Sequence, residues 1–455
     1  MNKKENKISK EIKINKKLAR RNYSNQTGIT LIALVVTIVV LLILAGVSLN
    51  AIFSENGIIK RAQDAQNKMN NAQESDLNAL NDLDKWINNQ VNGTTGGNTT
   101  GGNDNPSTTP KISTLVGKVV DKNTKAEDAY GNKITIPKGF KILEHNPTSS
   151  TGAVTYNYTN SEETGEHIPA VQDGIVIEDT QTGTAGNQFV WVPVGTIKNK
   201  NGSTNTITLG RYEFDSSTGA LKSTTPAQVA SVENCTKIVT ISKGGTDYQE
   251  LSTFREGNSA TNSTAQNATA RNLEEFISTT LANGGYYIAR FEASGTVSKI
   301  ASKYNQTVLG NITQPNAAKV AREMYGEVKE NNELVYASDL VNSYAWDTAI
   351  VFIQTYSGKT DYASHNESIT TKAFTATGKN NDKYCNIWDM SGNAYEWTTE
   401  YSTSSHNSNF YPCVRRGGYY DTDSGVAINY TSARSYNNTT YSLSIVSLRS
   451  LLYVK

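Results

Sequence analysis

The chain has 455 residues, of which 19% are charged and 37% hydrophobic, and its formal net charge is +1. This length exceeds one ordinary hydrophobic core, so two or more domains are expected. Residues 1–28 carry nine Lys/Arg and two Glu, a balance of +7, which leaves −6 for the remainder. A negative remainder excludes the basic surface that nucleic-acid binding requires, so no nucleic-acid partner is expected.

The cysteines limit the covalent chemistry of the chain. Cys235, Cys385 and Cys413 are too few for a disulfide scaffold, and no CxxC motif or Cys/His cluster indicates a zinc site. One disulfide remains possible, between Cys385 and Cys413, because both lie in one segment.

The first predicted element is an uncharged apolar helix, residues 29–49, behind a basic leader at residues 1–28. At about 1.5 Å per residue, it covers roughly the 30 Å hydrocarbon core of a bilayer. The positive-inside rule keeps the leader in the cytoplasm and places the C-terminal part outside the cell. A secretory signal peptide is the alternative, because "AGVSLNA" offers a weak cleavage site.

The stretch "TGITLIALVV" resembles the processing site of type IV prepilins. The resemblance implies that prepilin peptidase cuts after Gly28, so that Ile29 becomes the N-methylated terminus, and that other pilins are partners. Ala33 stands where the family carries a Glu that neutralises a neighbouring terminus during assembly. This departure favours a membrane-held or tip-located protein over a subunit of a long pilus.

A stalk and a linker follow the apolar segment. Apolar residues at spacings of three and four between Ile59 and Val91 predict an amphipathic helix. Residues 29–91 are therefore predicted to form one pilin-like transmembrane and stalk helix. Residues 92–110, rich in Gly, Thr and Asn, are predicted to be a flexible linker.

Residues 111–455 are predicted to form an α+β head. Five short runs bounded by turn residues predict strands: "KITIPKGFKI" (133–142), "DGIVIED" (173–179), "NQFVWVPVG" (187–195), "NTITLGRYEF" (205–214) and "GGYYIARFEAS" (284–294). Helical spacing predicts two helices, at 270–283 and 343–356.

The segment "NIWDMSGNAYEWTTEYS" holds candidate metal ligands. Trp388 and Trp397 are predicted to be buried, and Gly392 and Asn393 favour a tight turn with positive φ. The turn brings Asp389 and Glu396 together, and two carboxylates beside turn carbonyls form an oxygen cage of the kind that Ca²⁺ accepts. The alternative is that Glu396 caps the turn or pairs with an arginine.

Three arginines and a glycine pair further along the chain are interpreted as structural. We expect the guanidinium groups of Arg416, Arg434 and Arg449 to bind loop carbonyls and carboxylates, with ligand binding as the alternative. Gly417 and Gly418 indicate a close backbone crossing, because no helix start follows them.

Together with "VRRGGYYD" and "SLRSLLYV", this segment resembles the formylglycine-generating enzyme (sulfatase-modifying factor) family over residues 125–455. The resemblance implies a variant of the C-type lectin-like fold. It also implies a structural calcium held by the side chains of Asp389 and Glu396 and by the carbonyls of Gly392 and Ala394.

The catalytic groups of that family have no counterpart here. The copper-dependent members need a cysteine pair near the C-terminus, and this chain has no cysteine after Cys413. Related iron enzymes need clustered histidines, whereas no two of the four histidines lie within ten positions of each other. A protein that is not an enzyme is therefore predicted.

The C-terminal segment has the composition of a recognition surface. In residues 419–441, 15 of 23 are Tyr, Thr, Ser or Asn, as in antibody binding loops. A solvated loop is the alternative. The segment also resembles the variable region of proteins diversified by retroelements, which share the lectin-like fold. The candidate ligand-binding residues are Tyr419, Tyr420, Asp421, Asp423, Tyr430, Tyr436, Asn438 and Tyr441.

These patterns predict a non-catalytic, adhesin-like or receptor-like protein. We expect a single span in the cell membrane, an extracellular head and an extracellular protein or glycan as ligand. Two alternatives are an oxidoreductase of the formylglycine-generating type and a structural minor pilin.

Overall fold

The computed structural model describes residues 35–36, 109–159, 167–250, 269–330, 333–367, 373–406, 409–421 and 430–455. The chain divides into two compact units, residues 1–104 and 105–455. In the first unit only Val35 and Val36 are described, both helical and exposed. The leader, the Gly28–Ile29 processing site, most of the predicted span, the stalk and the linker up to residue 108 lie outside the described residues. Within the described ranges, no helix has the length and apolarity needed to cross a membrane.

The described part of the second unit is mostly β. Its strands, in chain order, are β1 (Thr124–Glu127), β2 (Lys133–Ile136), β3 (Phe140–Ile142), β4 (Tyr158–Thr159), β5 (His167–Ile168), β6 (Val176–Asp179), β7 (Gln188–Pro193), β8 (Gly195–Lys198), β9 (Thr204–Ile207), β10 (Gly210–Arg211), β11 (Gln228–Val229), β12 (Ile241–Lys243), β13 (Thr246–Gln249), β14 (Gly285–Ala289), β15 (Ser294–Thr296), β16 (Lys299–Ala301), β17 (Glu327–Glu330), β18 (Glu333–Leu340), β19 (Lys383–Tyr384), β20 (Ile387–Trp388), β21 (Tyr395–Ser402), β22 (Ser405–His406), β23 (Asn409–Phe410), β24 (Cys413–Arg416), β25 (Arg434–Asn437), β26 (Val446–Leu448) and β27 (Ser450–Val454). Each of the five predicted runs contains at least one of these strands, so those predictions are confirmed.

Three α-helices accompany the strands in the described part: α1 (Leu273–Asn283), α2 (Gln314–Glu323) and α3 (Ser343–Tyr356). The carboxamides of Asn272 and Asn342 cap α1 and α3 by accepting from the backbone N–H groups of Glu275 and Ala345. Helices α1 and α3 confirm the two predicted windows. Sequence reasoning missed α2, which buries mainly alanines and therefore has a weak apolar signal. Short 3₁₀ turns lie at Ile112–Thr114, Val171–Asp173 and Tyr362–Ser364.

The larger sheet has seven strands in the order β17-β18-β27-β14-β7-β6-β3. Every described pairing within it is antiparallel. Strand β7, inside this sheet, is buried throughout. Val190 and Val192 pack on one face in a cluster that includes Phe276 of α1 and Trp346 of α3, whereas Trp191 packs in a second cluster on the other face. This alternation is the side-chain period of a strand that is covered on both sides.

The second sheet carries the C-terminal motifs. Strands β12-β13-β21-β24-β25 follow one another, and β26 pairs in parallel with β21. All eight residues of β21 are buried. Helix α2 packs its alanines against Trp397 of this sheet in a third cluster. The predicted α+β class is correct only in part, since the described residues are mostly β.

The open question of a disulfide is answered by the structure. Cys235, Cys385 and Cys413 are all free thiols, so the bridge between Cys385 and Cys413 is not formed.

Candidate binding face

The Gly392–Asn393 turn lies just before β21 of the second sheet. Its φ angles are 78° at Gly392 and 52° at Asn393. A Cβ on Gly392 would lie 2.6 Å from the carbonyl oxygen of Glu367, so only glycine fits there. The N–H of Gly392 donates to the carbonyl of Gly417 at 2.8 Å, which joins the turn to the strand end after β24.

The two tryptophans near this turn differ in burial. Trp397 is fully buried and its indole N–H donates to the carbonyl of Ile312 at 2.8 Å. Trp388 is only half-buried, and the ammonium group of Lys383 lies 5.7 Å from its ring centre. The expectation of two buried tryptophans therefore holds for Trp397 alone.

An arginine binds one of the two carboxylates predicted to hold calcium. Arg449 donates to both carboxylate oxygens of Glu396, through Nε at 2.9 Å and Nη2 at 2.6 Å. Its Nη2 also donates to the carbonyls of Trp388 and Asp389, at 2.9 and 3.1 Å. This bidentate geometry matches a planar guanidinium, which is always charged.

The second predicted carboxylate ligand also has protein partners. The carboxylate of Asp389 accepts from the N–H of Gly378 and from the carboxamide of Asn380, both at 2.9 Å. No group of three or more His, Cys, Asp or Glu side chains in the described ranges is arranged to hold a metal ion. The structure thus gives both predicted carboxylate ligands protein partners, and calcium binding by Asp389, Gly392, Ala394 and Glu396 stays a prediction.

A carboxylate that sequence reasoning missed lies beside this ion pair. Glu292, fully buried, accepts from the carboxamide of Asn393 at 2.6 Å and from the N–H of Ala394 at 3.0 Å. Burial, followed by repulsion from Asp389 and Glu396, raises the pKa of Glu292 well above its usual value. Burial also raises the pKa of Asp389 to about 6. The raised pKa of Glu292 favours its neutral form, which reduces the negative charge beside the cation of Arg449.

A second buried cluster involves Arg416 and Arg434. Arg416 and Arg434 both bind the carboxylate of Asp347, at 2.5 and 2.6 Å. They share Glu400 with Arg211, whose Nη2 lies 2.6 Å from it. Burial alone would raise the pKa of Glu400, but Arg434, Arg211 and Arg416 together lower it to about 2. These guanidinium groups are bound inside the protein and do not face a ligand.

Arg415 points the other way. In the register of β24 and β25, Arg415 lies opposite Ser435 and Val414 opposite Tyr436, so neighbouring residues face opposite sides of the sheet. The guanidinium carbon of Arg415 is 4.0 Å from the ring centre of Tyr395 and 5.1 Å from that of Tyr441. The guanidinium therefore lies against two tyrosine rings, a geometry of favourable cation–π contact.

Further aromatic rings extend this cluster. Tyr419 stacks on Tyr395, with ring centres 5.1 Å apart, and Tyr420 lies 5.5 Å from Tyr419. Phe374 packs edge-on to Tyr420 at 5.6 Å. All except Tyr395 are half-buried. We call this surface the aromatic face; it consists of Phe374, Tyr395, Arg415, Tyr419, Tyr420 and Tyr441.

The other candidate binding residues lie elsewhere. Tyr436 is 36% exposed on the opposite side of the sheet, beside Tyr248 and Tyr411. Tyr430 is nearly buried, and the ammonium group of Lys243 lies 4.6 Å from its ring centre.

Polar candidates complete the set. The carboxamide of Asn438 accepts from the N–H and hydroxyl of Thr440 in the turn before Tyr441. Asp421 is half-buried, and Asp423 lies outside the described residues. The structure thus brings together Tyr419, Tyr420 and Tyr441, and separates them from Tyr430 and Tyr436.

Sequence reasoning missed three members of the aromatic face. The alternation of a strand would have separated Arg415 from Arg416 in "VRRGG". It would also have placed Tyr395 on the same side as Trp397. Phe374 carried no signal, because only the folded chain brings it to Tyr420.

No family model matches the chain, and no curated protein matches it. Among solved structures, the chain is similar to the crystal structure of CarF at 13% identity and a TM-score of 0.27, over 38% of this chain and 87% of that chain. It is similar to the Major Tropism Determinant M1 variant at 12% identity and a TM-score of 0.24, over 76% and 98% of the two chains. Treponema denticola variable protein 1 matches at 11% identity and a TM-score of 0.24, over 60% and 98%. TM-scores this low do not establish a shared fold, so the C-type lectin-like fold stays a proposal that rests on the sequence motifs.

Proposed function

We propose that the protein is a non-catalytic, surface-displayed binding protein whose aromatic face contacts an extracellular protein or glycan. One observation carries this proposal. Arg415 donates only to the hydroxyls of Ser435 and Tyr441, at 3.3 and 3.2 Å, and has no carboxylate partner in the described part of the chain. The neighbouring Arg416, by contrast, is bound by two buried carboxylates. Unused guanidinium donors beside tyrosine rings are the groups that recur at binding hot spots.

The composition of the face supports the same function. Tyr419, Tyr420 and Tyr441 offer rigid contact area at a small cost in side-chain entropy. Tyr419 packs on Tyr395 and Tyr420, and Tyr441 lies edge-on to Trp397, so these contacts hold the rings in place before a ligand arrives. A pre-organised aromatic surface binds with a smaller entropic cost than a flexible loop does.

The thiols support a role without catalysis. Burial raises the pKa of Cys385 and of Cys413 far above the usual value, so neither forms a thiolate readily. The cysteine pair of the copper-dependent enzymes has no counterpart after Cys413.

Display at the surface is proposed from the N-terminal sequence. An uncharged segment at residues 29–49 behind a leader with a balance of +7 supports a single-pass anchor with the C-terminal part outside the cell. The prepilin-like site at Gly28 and Ile29 supports processing by prepilin peptidase and association with other pilins. Diversification of the C-terminal segment by a retroelement is part of this proposal. An adenine-mutated template repeat near a reverse transcriptase gene would support that part, and its absence would remove it.

The binding experiment uses the purified full-length protein against an array of glycans and extracellular proteins. Tyr420→Ala and Arg415→Ala should each weaken the selected interaction by about 30-fold, the effect of losing a hot-spot residue. Tyr436→Ala is the matched control, because it removes a more exposed tyrosine from the opposite side of the same sheet.

The Tyr436→Ala control shows which side of the sheet binds the ligand. An affinity within about twofold of the wild type is expected for Tyr436→Ala, since surface changes outside an interface have small effects. Binding that survives Tyr420→Ala and Arg415→Ala but fails in Tyr436→Ala would place the site on the other side of the sheet. No binding to any member of the array would contradict the proposed function itself.

A further inference from the structure

A cavity of about 470 Å³ lies beside the 3₁₀ turn Val171–Asp173, the β8–β9 hairpin and the last residue of α3. Its lining includes Tyr130, Gln172, Asn199, Asn201, Asn205 and Tyr356. None of these residues belongs to the aromatic face or to the buried ionic clusters. The volume falls in the range of about 300–1,000 Å³ that is typical of small-molecule sites. A smaller recess of about 230 Å³ shares Gln172 and Tyr356 with it.

The lining is dominated by carboxamides and tyrosines. Each carboxamide offers two N–H donors and a carbonyl acceptor, which matches a ligand that carries several hydroxyl groups. Tyr130 and Tyr356 add aromatic rings, whose flat faces pack against the C–H groups of a sugar ring. The lining thus has the two kinds of group that recognise a saccharide.

Two residues of the lining each have a buried carbonyl oxygen without a hydrogen-bond partner in the described part of the protein. These oxygens are Oε1 of Gln172 and Oδ1 of Asn199. The amide nitrogens of the same side chains are held, because Gln172 donates to the carbonyl of Lys198 at 2.5 Å and Asn199 donates to the hydroxyl of Ser203 at 3.0 Å. Both acceptors are therefore fixed in orientation and left without a donor. Buried polar atoms of this kind are normally paired with protein or with ordered water, and the hydroxyl donors of a ligand can take the place of such water.

The hairpin that carries Asn199 is firmly built. The N–H of Asn199 donates to the carbonyl of Ser203 at 2.8 Å, and the N–H of Gly202 donates to the carbonyl of Asn199 at 3.0 Å. The carboxamide of Asn132 binds both the N–H and the carbonyl of Lys198, at 2.8 and 3.0 Å. The acceptors are thus presented by a pre-organised backbone, which lowers the entropic cost of binding.

The charges of the lining favour an uncharged ligand. The larger cavity is lined by one lysine, Lys200, and one carboxylate, Asp173, so its formal charge is zero. In the smaller recess, the ammonium group of Lys383 donates to the hydroxyl of Thr155 at 2.8 Å. No cluster of cations is available in these linings to hold a phosphate or a sulfate.

We propose that this cavity is a second binding site, separate from the aromatic face, for one or two residues of a neutral saccharide. The carbonyl oxygens of Gln172 and Asn199 accept hydrogen bonds from sugar hydroxyls. Asn201 and Asn205 bind from the hairpin side, and the rings of Tyr130 and Tyr356 pack on the sugar. This site is independent of the ligand of the aromatic face.

The test measures disaccharide binding by the full-length protein. Lactose, maltose, cellobiose and N,N′-diacetylchitobiose are titrated up to about 10 mM, which covers sites as weak as roughly 1 mM, by saturation-transfer NMR and calorimetry. At least one of them should bind, and Asn199→Ala and Asn205→Ala should each weaken its binding at least about tenfold, which corresponds to one lost hydrogen bond.

Two control variants test whether the disaccharide binds in this cavity. Asn316→Ala removes an exposed carboxamide of α2 and should leave disaccharide binding unchanged. Tyr420→Ala should also leave disaccharide binding unchanged, although this substitution weakens binding of the ligand to the aromatic face. Thermal melting of each variant checks that the fold is intact.

Three outcomes would overturn the proposal. They are the absence of binding by all four disaccharides, binding that is lost in Tyr420→Ala but retained in Asn199→Ala, and binding of acidic sugars such as glucuronic acid in preference to neutral ones. The second outcome would place the disaccharide on the aromatic face, whereas the first and third leave the ligand of that face untouched. That ligand is tested separately by Tyr420→Ala and Arg415→Ala on the array.

Discussion

The guanidinium of Arg449 binds both carboxylate oxygens of Glu396, at 2.9 and 2.6 Å, and both side chains are fully buried. The pair joins β21 to the residue between β26 and β27. It therefore ties the second sheet to the seven-stranded sheet through one pair of charges.

Arg449→Met should destabilise the protein by about 3–5 kcal/mol, because it leaves Glu396 buried without its cation. Urea denaturation of the full-length protein measures this change. Arg415→Met is the matched control, since Arg415 is half-buried and has no carboxylate partner in the described ranges. Its effect should stay within about 1 kcal/mol. Equal effects of the two substitutions would contradict the role given to the buried pair.

Calcium should have no effect on the stability of the second unit. The carboxylate of Glu396 is bound by Arg449, and that of Asp389 accepts from Gly378 and Asn380, so both carboxylates predicted to bind the ion already have partners. The melting temperature in millimolar calcium should match that in EDTA to within about 1 °C, because an ion that does not bind the native state cannot stabilise it. A melting temperature that rises with calcium, and loses this rise in Asp389→Asn, would restore the cage inferred from sequence.

Glu250 should make stability fall as pH rises. Burial raises the pKa of Glu250 from 4.5 to about 7 in the folded protein, although Thr399 and Ser343 donate hydrogen bonds to it. The folded state therefore holds this proton more tightly than the unfolded state does. Its contribution is fully present below pH 4.5 and is lost as pH rises through about 7.

Glu250→Gln isolates this effect, because the carboxamide keeps the shape and does not titrate. The free energy of unfolding of the wild type should fall relative to the variant by about 3 kcal/mol across that pH range, since one pKa unit corresponds to about 1.4 kcal/mol. Denaturant titrations of both proteins at a series of pH values measure the difference. A difference that does not change with pH would show that Glu250 titrates normally.

Gly392→Ala should destabilise the protein more than a glycine substitution with the same backbone strain. At Gly392, φ is +78° and a Cβ would lie 2.6 Å from the carbonyl oxygen of Glu367. At Gly117, φ is +73° and no atom lies within 4 Å of the added Cβ. Gly117→Ala should cost about 1–2 kcal/mol from strain alone, and Gly392→Ala at least about 1 kcal/mol more. Thermal and denaturant unfolding measure the loss of stability in both variants. Equal losses in Gly117→Ala and Gly392→Ala would show that the close approach of the added Cβ to the carbonyl of Glu367 does not matter.

The N-terminus of the mature protein should be Ile29, N-methylated, if prepilin peptidase processes the chain. Mass spectrometry of the protein purified from its own cells measures the mass of the N-terminal peptide. Cleavage after "AGVSLNA" would instead indicate a signal peptide. Protease added to intact cells should remove the C-terminal unit, because the positive-inside rule places it outside. Protection of that unit in intact cells would contradict surface display.

Much of the local structure could be predicted from the residues. The five alternating runs predicted strands, and helical spacing predicted α1 and α3, because both signals depend on neighbours along the chain. Helix α2 was not predicted, because its buried face consists mainly of alanines, which give a weak hydrophobic periodicity. The negative charge of the chain beyond residue 28 and the lack of cysteines after Cys413 were likewise properties of the sequence alone.

Tertiary structure decided which side chains meet. Arg415 and Arg416 are adjacent in sequence, but the pleat of β24 sends one to tyrosine rings and the other to buried carboxylates. The fold also selected Arg449, from a strand end far along the chain, as the cation for Glu396, where the residue types alone allowed calcium or arginine. Sequence fixes the chemistry of each group through its residue type, whereas the partner that neutralises a buried charge depends on which distant segments the sheets bring together.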